Sequence, residues 1–199
     1  MKKIAITGKI AAGKSSAAQI IKRKGYPVFN ADQYVHLAYL PSSPIYDELI
    51  NIFGMDIVDN FKHIDHQKLA HIIFNYPIKK KLLENLVHPI VKKGLIAFFN
   101  KQKDNDLVFA EIPLLYQVGW QDMFDHILII DASKETIKER LKQKRDYDDM
   151  ETDMRYSAQI TSLPHNEKTT WISNDTDLIS LQRQINCWLR EYRRDNHAY

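Results

Sequence analysis

The chain has 199 residues, of which 44% are hydrophobic and 27% charged, and its formal net charge is +3. This composition supports one sizeable core and excludes collagen-like, low-complexity and wholly disordered chains. The mild positive charge permits anionic ligands without requiring nucleic acid. Cys187 is the single cysteine, so no internal disulfide or cysteine-based zinc site is possible. The apolar runs are too short for a signal peptide or a membrane span, and we expect a cytoplasmic protein.

The first 30 residues predict a strand, a helix and a second strand. Ile4-Ala5-Ile6 is a short apolar run that ends at Gly8, which is typical of a buried parallel strand. A helical pattern follows from about residue 13 to residue 24, and Gly25 stands where a glycine cap would end it. Residues 26–29 read as the second strand.

The middle of the chain, about 32–105, predicts helices and no strong strand. Asp65 is a candidate N-cap for one of them. A helix that contains His88 should break or bend there, because Pro89 disfavours helical geometry at the residue before it. We therefore expect a helical lobe set into an α/β core, with the core formed by residues 1–31, 106–140 and 169–199.

The remaining elements return to alternation of strand and helix. Strands are predicted at 107–110, 126–131 and 171–173, with a helix from Ser133 to about 144 and a last helix over 178–192. The polar stretch between them, about 141–168, is a candidate lid. Strands that alternate with helices predict an α/β fold, with a parallel sheet covered on both faces.

The segment that carries chemistry is Gly8-Lys9-Ile10-Ala11-Ala12-Gly13-Lys14-Ser15, which fits the P-loop pattern G-x-x-x-x-G-K-[ST]. It lies between the first strand and the first helix, as the motif requires. Its small residues let successive backbone N–H groups point at phosphate oxygens, and the helix N-terminus adds positive potential. Lys14 would reach the β- and γ-phosphates, and the hydroxyl of Ser15 would bind magnesium.

Other charged residues are candidates on position alone. Asp32 follows the second strand, where a carboxylate could accept a proton or help to hold magnesium, or could simply cap a helix. Glu111 follows the third strand. It could be a second acidic group near the metal, or it could be an ordinary carboxylate in a loop. Arg140 could neutralise charge on a transferred phosphoryl group or belong to a solvated helix face.

Two further patterns predict no site. Arg190, Arg193 and Arg194 are read as a solvated helix end rather than a nucleic-acid surface. The histidines around residues 63–71 lack the spacing of a metal-ligand set, so we expect no zinc.

Taken together, these motifs resemble the dephospho-coenzyme A kinase family, a family of P-loop kinases, over nearly the full chain. A P-loop alone indicates only a nucleoside-triphosphate site, so the ordered series of motifs is the more specific signal. The matching pieces are the P-loop at 8–16, Asn30-Ala31-Asp32, the helix at 65–74, Leu86-Val87-His88-Pro89-Ile90, Glu111-Ile112-Pro113-Leu114-Leu115-Tyr116, Arg140, Lys144, Gln159, Lys168 and Asn174.

The resemblance implies ATP-dependent phosphorylation of the ribose 3′-hydroxyl of dephospho-CoA, with magnesium, as the last step of coenzyme A synthesis. It implies that Asp32 is the general base and that Lys14 and Arg140 stabilise the transferring phosphoryl group. The helical lobe would hold the acceptor, the lid at 141–168 would exclude water, and we expect a monomer without nucleic-acid or membrane partners. The implied ATP-binding residues are Gly8, Ala11, Ala12, Gly13, Lys14, Ser15, Ser16, Lys144 and Asn174, and the implied acceptor-binding residues are His88, Pro113 and Leu114.

The chain departs from the family pattern inside two motifs. Asn30 stands where the first of two aspartates is usual, and it keeps an acceptor oxygen but loses a charge. Lys9 replaces a customary glycine of the P-loop, and Ala11 and Ala12 occupy positions of glycine or serine. These three residues are compatible with the loop if their φ angles are negative, since only glycine adopts positive φ freely.

Later departures leave two questions open. Lys144 stands where an arginine is usual, and the adjacent Arg145 is the alternative for that cationic role. Two other functions stay possible. A kinase for another nucleoside or nucleotide could use the same scaffold, and Asn30, Gln117 and Thr169-Thr170 leave open a nucleotide-binding protein that transfers no phosphate.

Overall fold

A computed structural model of the chain describes residues 1–145, 152–153, 156 and 163–196. Contacts divide the chain into two compact units, Met1–Phe29 with Gln102–Tyr199, and Asn30–Lys101. The larger unit contains the P-loop segment, and the smaller unit lies within the stretch of chain for which helices are predicted. Half of the predicted lid lies outside the described residues, and its first residues, 141–145, are helical.

The larger unit is built on a five-stranded sheet with the order β2-β3-β1-β4-β5. The central strand β1 runs parallel to both β3 and β4, and β4 runs parallel to β5. The predicted α/β architecture is therefore confirmed, and the carboxyl edge of β1 lies at the middle of the sheet, where such folds bind their ligands. The strands are β1 (Lys2–Gly8), β2 (Val28–Asn30), β3 (Leu107–Glu111), β4 (His126–Asp131) and β5 (Thr169–Ser173).

Helices connect these strands and form the smaller unit. Short 3₁₀ turns lie at Met55–Ile57 and Gln121–Met123. The helices are α1 (Lys14–Arg23), α2 (Ala31–Ala38), α3 (Tyr46–Phe53), α4 (His66–Asn75), α5 (Pro77–Lys101), α6 (Lys134–Arg145) and α7 (Leu178–Asn196).

One buried apolar cluster joins the sheet to α1, α6 and α7. Ile4 and Ile6 of β1 are fully buried in it, together with Ile21 and Ile137 of the helices. Burying each such side chain stabilises the fold by roughly 1.5–3 kcal/mol. Ala5, between the two β1 isoleucines, is also fully buried. Because neighbouring residues of a strand point to opposite faces, both faces of the sheet are shielded from water, as the apolar runs predict.

Helix ends in both units follow the local signals in the sequence. Gly25 has a φ of 88° immediately after α1, where the Lys24 and Gly25 amides donate to carbonyls of the last turn. The Asp65 carboxylate accepts hydrogen bonds from the Gln67 and Lys68 amides at 2.9 and 3.1 Å, which confirms it as the N-cap of α4.

Of the break or bend predicted in the helix near His88, the break does not occur. Helix α5 runs without interruption over Pro77–Lys101 with Pro89 inside it. Proline lacks a backbone N–H, so it removes one hydrogen bond from a helix. The packing of other side chains of the helix can offset the stability that is lost. Val87 and Val91, on either side of Pro89, are both buried, so the two halves are held by the core of the smaller unit.

Candidate functional site

The P-loop connects β1 to α1 and is shaped by two glycines that no other residue could replace without strain. Gly8 has a φ of 141°, and a Cβ atom there would lie 1.9 Å from the carbonyl oxygen of Ile130. Gly13 has a φ of 103°, and its Cβ would lie 2.2 Å from Nδ2 of Asn174. The loop therefore packs directly against the ends of β4 and β5.

Ala11 corrects one expectation about this loop. Its φ is 54°, in the left-handed region, whereas Lys9 and Ala12 avoid positive φ. A non-glycine residue in this region costs roughly 1–2 kcal/mol, because Cβ crowds the following carbonyl oxygen. The loop therefore holds a strained residue that glycine would relieve, and alanine is tolerated because its side chain is the smallest that carries a Cβ.

Lys14 begins α1, and its ammonium group lies within the curl of the loop. Nζ donates to the carbonyl oxygens of Gly8 at 3.0 Å and Lys9 at 2.8 Å. These bonds hold the positive charge beside the backbone that would surround a phosphate chain. Ser16, the other predicted phosphate-binding hydroxyl, lies one turn into the same helix and is half-buried.

Ser15 pairs with the acid predicted at the end of β3. Its hydroxyl donates to Oε1 of Glu111 at 2.6 Å, and Glu111 is 2% exposed. Because β3 is the direct neighbour of β1, the two carboxyl ends meet at one edge of the sheet. The pair supplies only oxygen donors, which is the ligand chemistry that Mg²⁺ prefers.

Arg140 and Asn174 clamp the opposite side of the loop. The guanidinium of Arg140 donates to the carbonyl oxygens of Ala11 at 3.3 Å, Ala12 at 3.5 Å and Asn174 at 2.7 Å. Nδ2 of Asn174 donates to the Ala12 carbonyl at 2.7 Å. Arg140 is thus turned toward the P-loop, and the solvated-face alternative for it is wrong.

Asp175, next to Asn174, holds the start of α6, the helix that carries Arg140. Its carboxylate accepts hydrogen bonds from the backbone amide of Ser133 and, at 2.7 Å, from the hydroxyl of Ser173. These hydrogen bonds, the Ser133 amide first, lower the pKa of Asp175 from 3.8 to about 2. Ser133 Oγ in turn accepts from the Thr136 amide at 3.3 Å, which confirms Ser133 as the predicted cap.

An ion pair that the sequence analysis did not anticipate ties the loop to β4. Nζ of Lys9 lies 2.9 Å from Oδ1 of Asp131, and both side chains are largely shielded from solvent. Two features of the sequence could have indicated this ion pair: a lysine in place of the usual glycine at position 9, and a strand predicted to end at Asp131. Spacing alone could not join them, because 122 positions separate the two residues.

The remaining predicted residues of the larger unit lie around this loop or beyond the described side chains. Pro113 follows β3, and its carbonyl accepts from the Thr7 hydroxyl at 3.4 Å. Leu114 is 44% exposed, so its side chain is available to a ligand. Lys144 lies in the last turn of α6, and its side chain, like that of Arg145, lies outside the part that the structure describes.

Within the smaller unit, Asn30 and Asp32 occupy the beginning of α2. Oδ1 of Asn30 accepts from the Gln33 amide at 2.8 Å, so the asparagine serves as the N-cap. Asp32 lies exposed in the first helical turn. His88 is half-buried on α5. The capping role explains how asparagine can stand at position 30, because capping requires only an acceptor oxygen.

The smaller unit brings His36 against His66, a contact that the sequence analysis did not predict. Nδ1 of His36 lies 3.1 Å from Nε2 of His66, so one ring donates to the other. Burial lowers the pKa of His66, and the proximity of His36 lowers it further. Within the described residues there is no group of three or more metal-binding side chains.

Comparison with known proteins identifies the family. The model of the dephospho-CoA kinase family matches residues 2–180. The chain belongs to the dephospho-CoA kinase family. A dephospho-CoA kinase of Streptococcus agalactiae is 32% identical over 187 residues, covering 92% of this chain and 94% of the relative. That of Aquifex aeolicus is 30% identical over 199 residues, covering 98% and 100%.

Solved structures agree with the family on the fold. The chain resembles a Thermus thermophilus protein with a TM-score of 0.77 and 28% identity, covering 96% of this chain and 97% of that one. A dephospho-CoA kinase from Campylobacter jejuni has a TM-score of 0.70, 23% identity and 98% coverage of each chain. Across the described residues, no helix has the length and apolar character to cross a membrane.

Proposed function

We propose that this chain transfers the γ-phosphoryl group of ATP to the ribose 3′-hydroxyl of dephospho-CoA, giving ADP and CoA. The observation that carries the proposal is a complete P-loop, in which Lys14 contacts the carbonyls of the loop and Ser15 contacts the buried Glu111, in a chain that the family model matches over residues 2–180. Phosphoryl transfer needs little covalent help from a protein, so positioning and charge stabilisation are the main tasks of these residues.

The nucleotide would bind through the P-loop backbone and its cations. Amides of the segment from Gly8 to Ser16 would surround the β- and γ-phosphates, as the curl of this loop favours. Lys14 would exchange its two carbonyl partners for phosphate oxygens, and Arg140 would stabilise negative charge on the transferring group. Asn174 would hold the loop in shape beside the nucleotide, with Lys144 contributing at the end of α6.

Magnesium fits the oxygen donors at this edge of the sheet. Ser15 would bind the ion directly, and Glu111 would hold the serine hydroxyl or a water of the metal shell. Mg²⁺ keeps most of its ligands from water and substrate phosphates, so a site with so few protein ligands is normal for it. When bound, the ion neutralises charge on the β- and γ-phosphate oxygens.

Asp32 would act as the general base on the acceptor. It would accept the proton of the 3′-hydroxyl as that oxygen bonds to the γ-phosphorus, while the bond from phosphorus to the β,γ-bridging oxygen breaks and ADP leaves. His88, Pro113 and Leu114 would contact dephospho-CoA, and the segment 141–168 would close over the reactants. These roles come from the resemblance in sequence. We also still expect the protein to be a cytoplasmic monomer that binds no nucleic acid.

The test is direct production of CoA. We would incubate the pure protein with ATP, Mg²⁺ and dephospho-CoA, and detect CoA by mass spectrometry. Lys14→Ala is the matched control, because it removes the phosphate-binding ammonium and leaves the fold of the sheet intact. We expect product from the wild type alone. ATP binding without CoA, together with phosphorylation of a nucleoside acceptor in the same assay, would overturn the proposal.

A further inference from the structure

A basic groove lies on the larger unit between the end of α1 and one face of α7. Its cavity volume is about 840 Å³, a size typical of small-molecule sites. Lys24 and Tyr26 form one wall, just beyond α1, and α7 forms the other wall from Ile179 to Arg193. That stretch of α7 spans about 21 Å.

The groove shares no residue with the P-loop site. Helix α1 begins at Lys14 and ends at Arg23, so Lys24 lies about 15 Å along the helix from the P-loop lysine. None of the P-loop residues, Arg140 or Asn174 lines it. A ligand in the groove would therefore contact none of the groups that handle the nucleotide.

The charge of the lining is of one sign. Lys24, Arg183, Arg190 and Arg193 line the groove, and no acidic side chain does. Acidic residues make up 25 of the 199 in the chain, almost as many as the 28 basic ones, so four cations without an acid is a local imbalance. Arginine matters here because its planar fork binds phosphate oxygens two at a time.

These cations are weakly engaged within the protein. Arg193 lies 3.9 Å from Asp106, and both side chains are at least half exposed, so solvent screens that pair strongly. Arg183 and Arg190 are exposed. The groove thus presents positive charge that a polyanion could neutralise without breaking strong internal contacts.

The rest of the lining is not cationic. Gln182 adds an exposed side-chain amide, whose N–H groups can donate to phosphate oxygens. Tyr26 and Leu189 add apolar surface on either side. The lining therefore matches a compact ligand that carries several phosphate groups.

We propose that this groove is a second ligand site, which binds a small, multiply phosphorylated molecule. An acidic peptide would present carboxylates to the same cations, and the experiment below distinguishes the two ligands. The volume also suits a compact ligand, since an extended chain would leave the groove at both ends.

The experiment measures binding of fructose 1,6-bisphosphate and inorganic tripolyphosphate to the full chain by calorimetry, with saturating ADP and Mg²⁺ present so that the P-loop is occupied. Arg183→Gln/Arg190→Gln is the groove variant, and Arg23→Gln/Arg194→Gln is the matched control. The control also removes two positive charges, one at the end of α1 and one in the last turn of α7, at residues that do not line the groove. We expect the groove variant to bind the bisphosphate about tenfold more weakly or worse, and the control to stay within about twofold.

Lys24→Gln, on the wall opposite α7, supplies the second readout. It should weaken binding of both ligands, because a compact polyanion in the groove contacts cations of both walls. Equal losses of affinity in the groove and control variants would show that the ligands bind through general surface charge and not in the groove. Unchanged affinity in both double variants would show that the ligands bind elsewhere. Binding of an oligoglutamate peptide but not of the bisphosphate would assign the groove to an acidic protein segment. Each of these three results overturns the proposal.

Discussion

The bond from Asn174 to Ala12 offers a sharp test of how the P-loop is held. Asn174 is 7% exposed and Ala12 is fully buried, and the side-chain amide donates to the backbone carbonyl at 2.7 Å. Asn174→Ala removes that donor from a place that water does not reach. The only other donor described on this carbonyl is Arg140, at the long distance of 3.5 Å. The carbonyl therefore stays poorly satisfied in the variant.

We expect Asn174→Ala to lower the free energy of unfolding by about 1–2 kcal/mol. This value lies between the net contribution of one hydrogen bond and the full cost of leaving a buried carbonyl without a donor. For a chain of this size, that lowers the melting temperature by roughly 2–8 °C. Gln184→Ala is the matched control, because Gln184 makes the same kind of bond, at 2.7 Å to the Ser173 carbonyl, but in an exposed setting. Water replaces that bond, so the control should lose less than about 0.5 kcal/mol.

The assay is urea unfolding of the three proteins, followed by circular dichroism, with the melting temperature measured alongside. A loss in Asn174→Ala no greater than in Gln184→Ala would refute the reasoning, because burial would then contribute nothing to the bond. A loss in Asn174→Ala of about 4 kcal/mol or more would also refute it, since Arg140 would then provide no partial replacement.

Further predictions concern the base, the metal site, an acidic group and the strained loop residue. Asp32→Asn should lower kcat by about 100-fold or more and leave the KM for ATP within about twofold in steady-state assays; an unchanged kcat would remove the base assignment. Glu111→Gln should raise the Mg²⁺ concentration that gives half-maximal activity at fixed ATP, and an identical Mg²⁺ titration would contradict its place beside the metal. The folded state holds the pKa of Asp175 at about 2, below its ordinary 3.8, so its contribution to stability is complete above about pH 4 and is lost as pH falls through 2. The stability difference between wild type and Asp175→Asn, from urea unfolding at several pH values, should therefore shrink only below pH 4; a constant difference would count against this. Ala11→Gly should stabilise the protein by up to about 1 kcal/mol, because relief of left-handed strain exceeds the added unfolded entropy, whereas Ala12→Gly should destabilise it; the reverse order would contradict the φ assignment.

Local patterns were sufficient for most of the fold. The strand at His126–Asp131 is an unbroken apolar run, and the P-loop pattern fixes both the turn and the helix that follows it. Caps such as Asp65 are also local, because donor and acceptor lie within a few residues. These signals are readable because each depends on neighbours in the sequence.

The features that escaped prediction depend on distant partners or on backbone angles. The contact of Lys9 with Asp131 and that of Ser15 with Glu111 each join segments about a hundred residues apart, and only the strand order brings them together. Pro89 stays inside a helix because of packing that its own neighbours in sequence do not reveal. The positive φ of Ala11 arises from the closure of the whole loop.

The order of the strands has a consequence for synthesis on the ribosome. Strand β1 begins at Lys2, yet its two partners begin at Leu107 and His126, after the entire smaller unit has been made. At elongation rates of about 5–20 residues per second, the nascent β1 waits roughly 5–20 s for its first neighbour. Asn30–Lys101 is contiguous and helical, and its contacts can form during that interval. If the smaller unit folds early, the apolar residues of β1 are still exposed while they wait for their partner strands. A chaperone would then be most useful at β1.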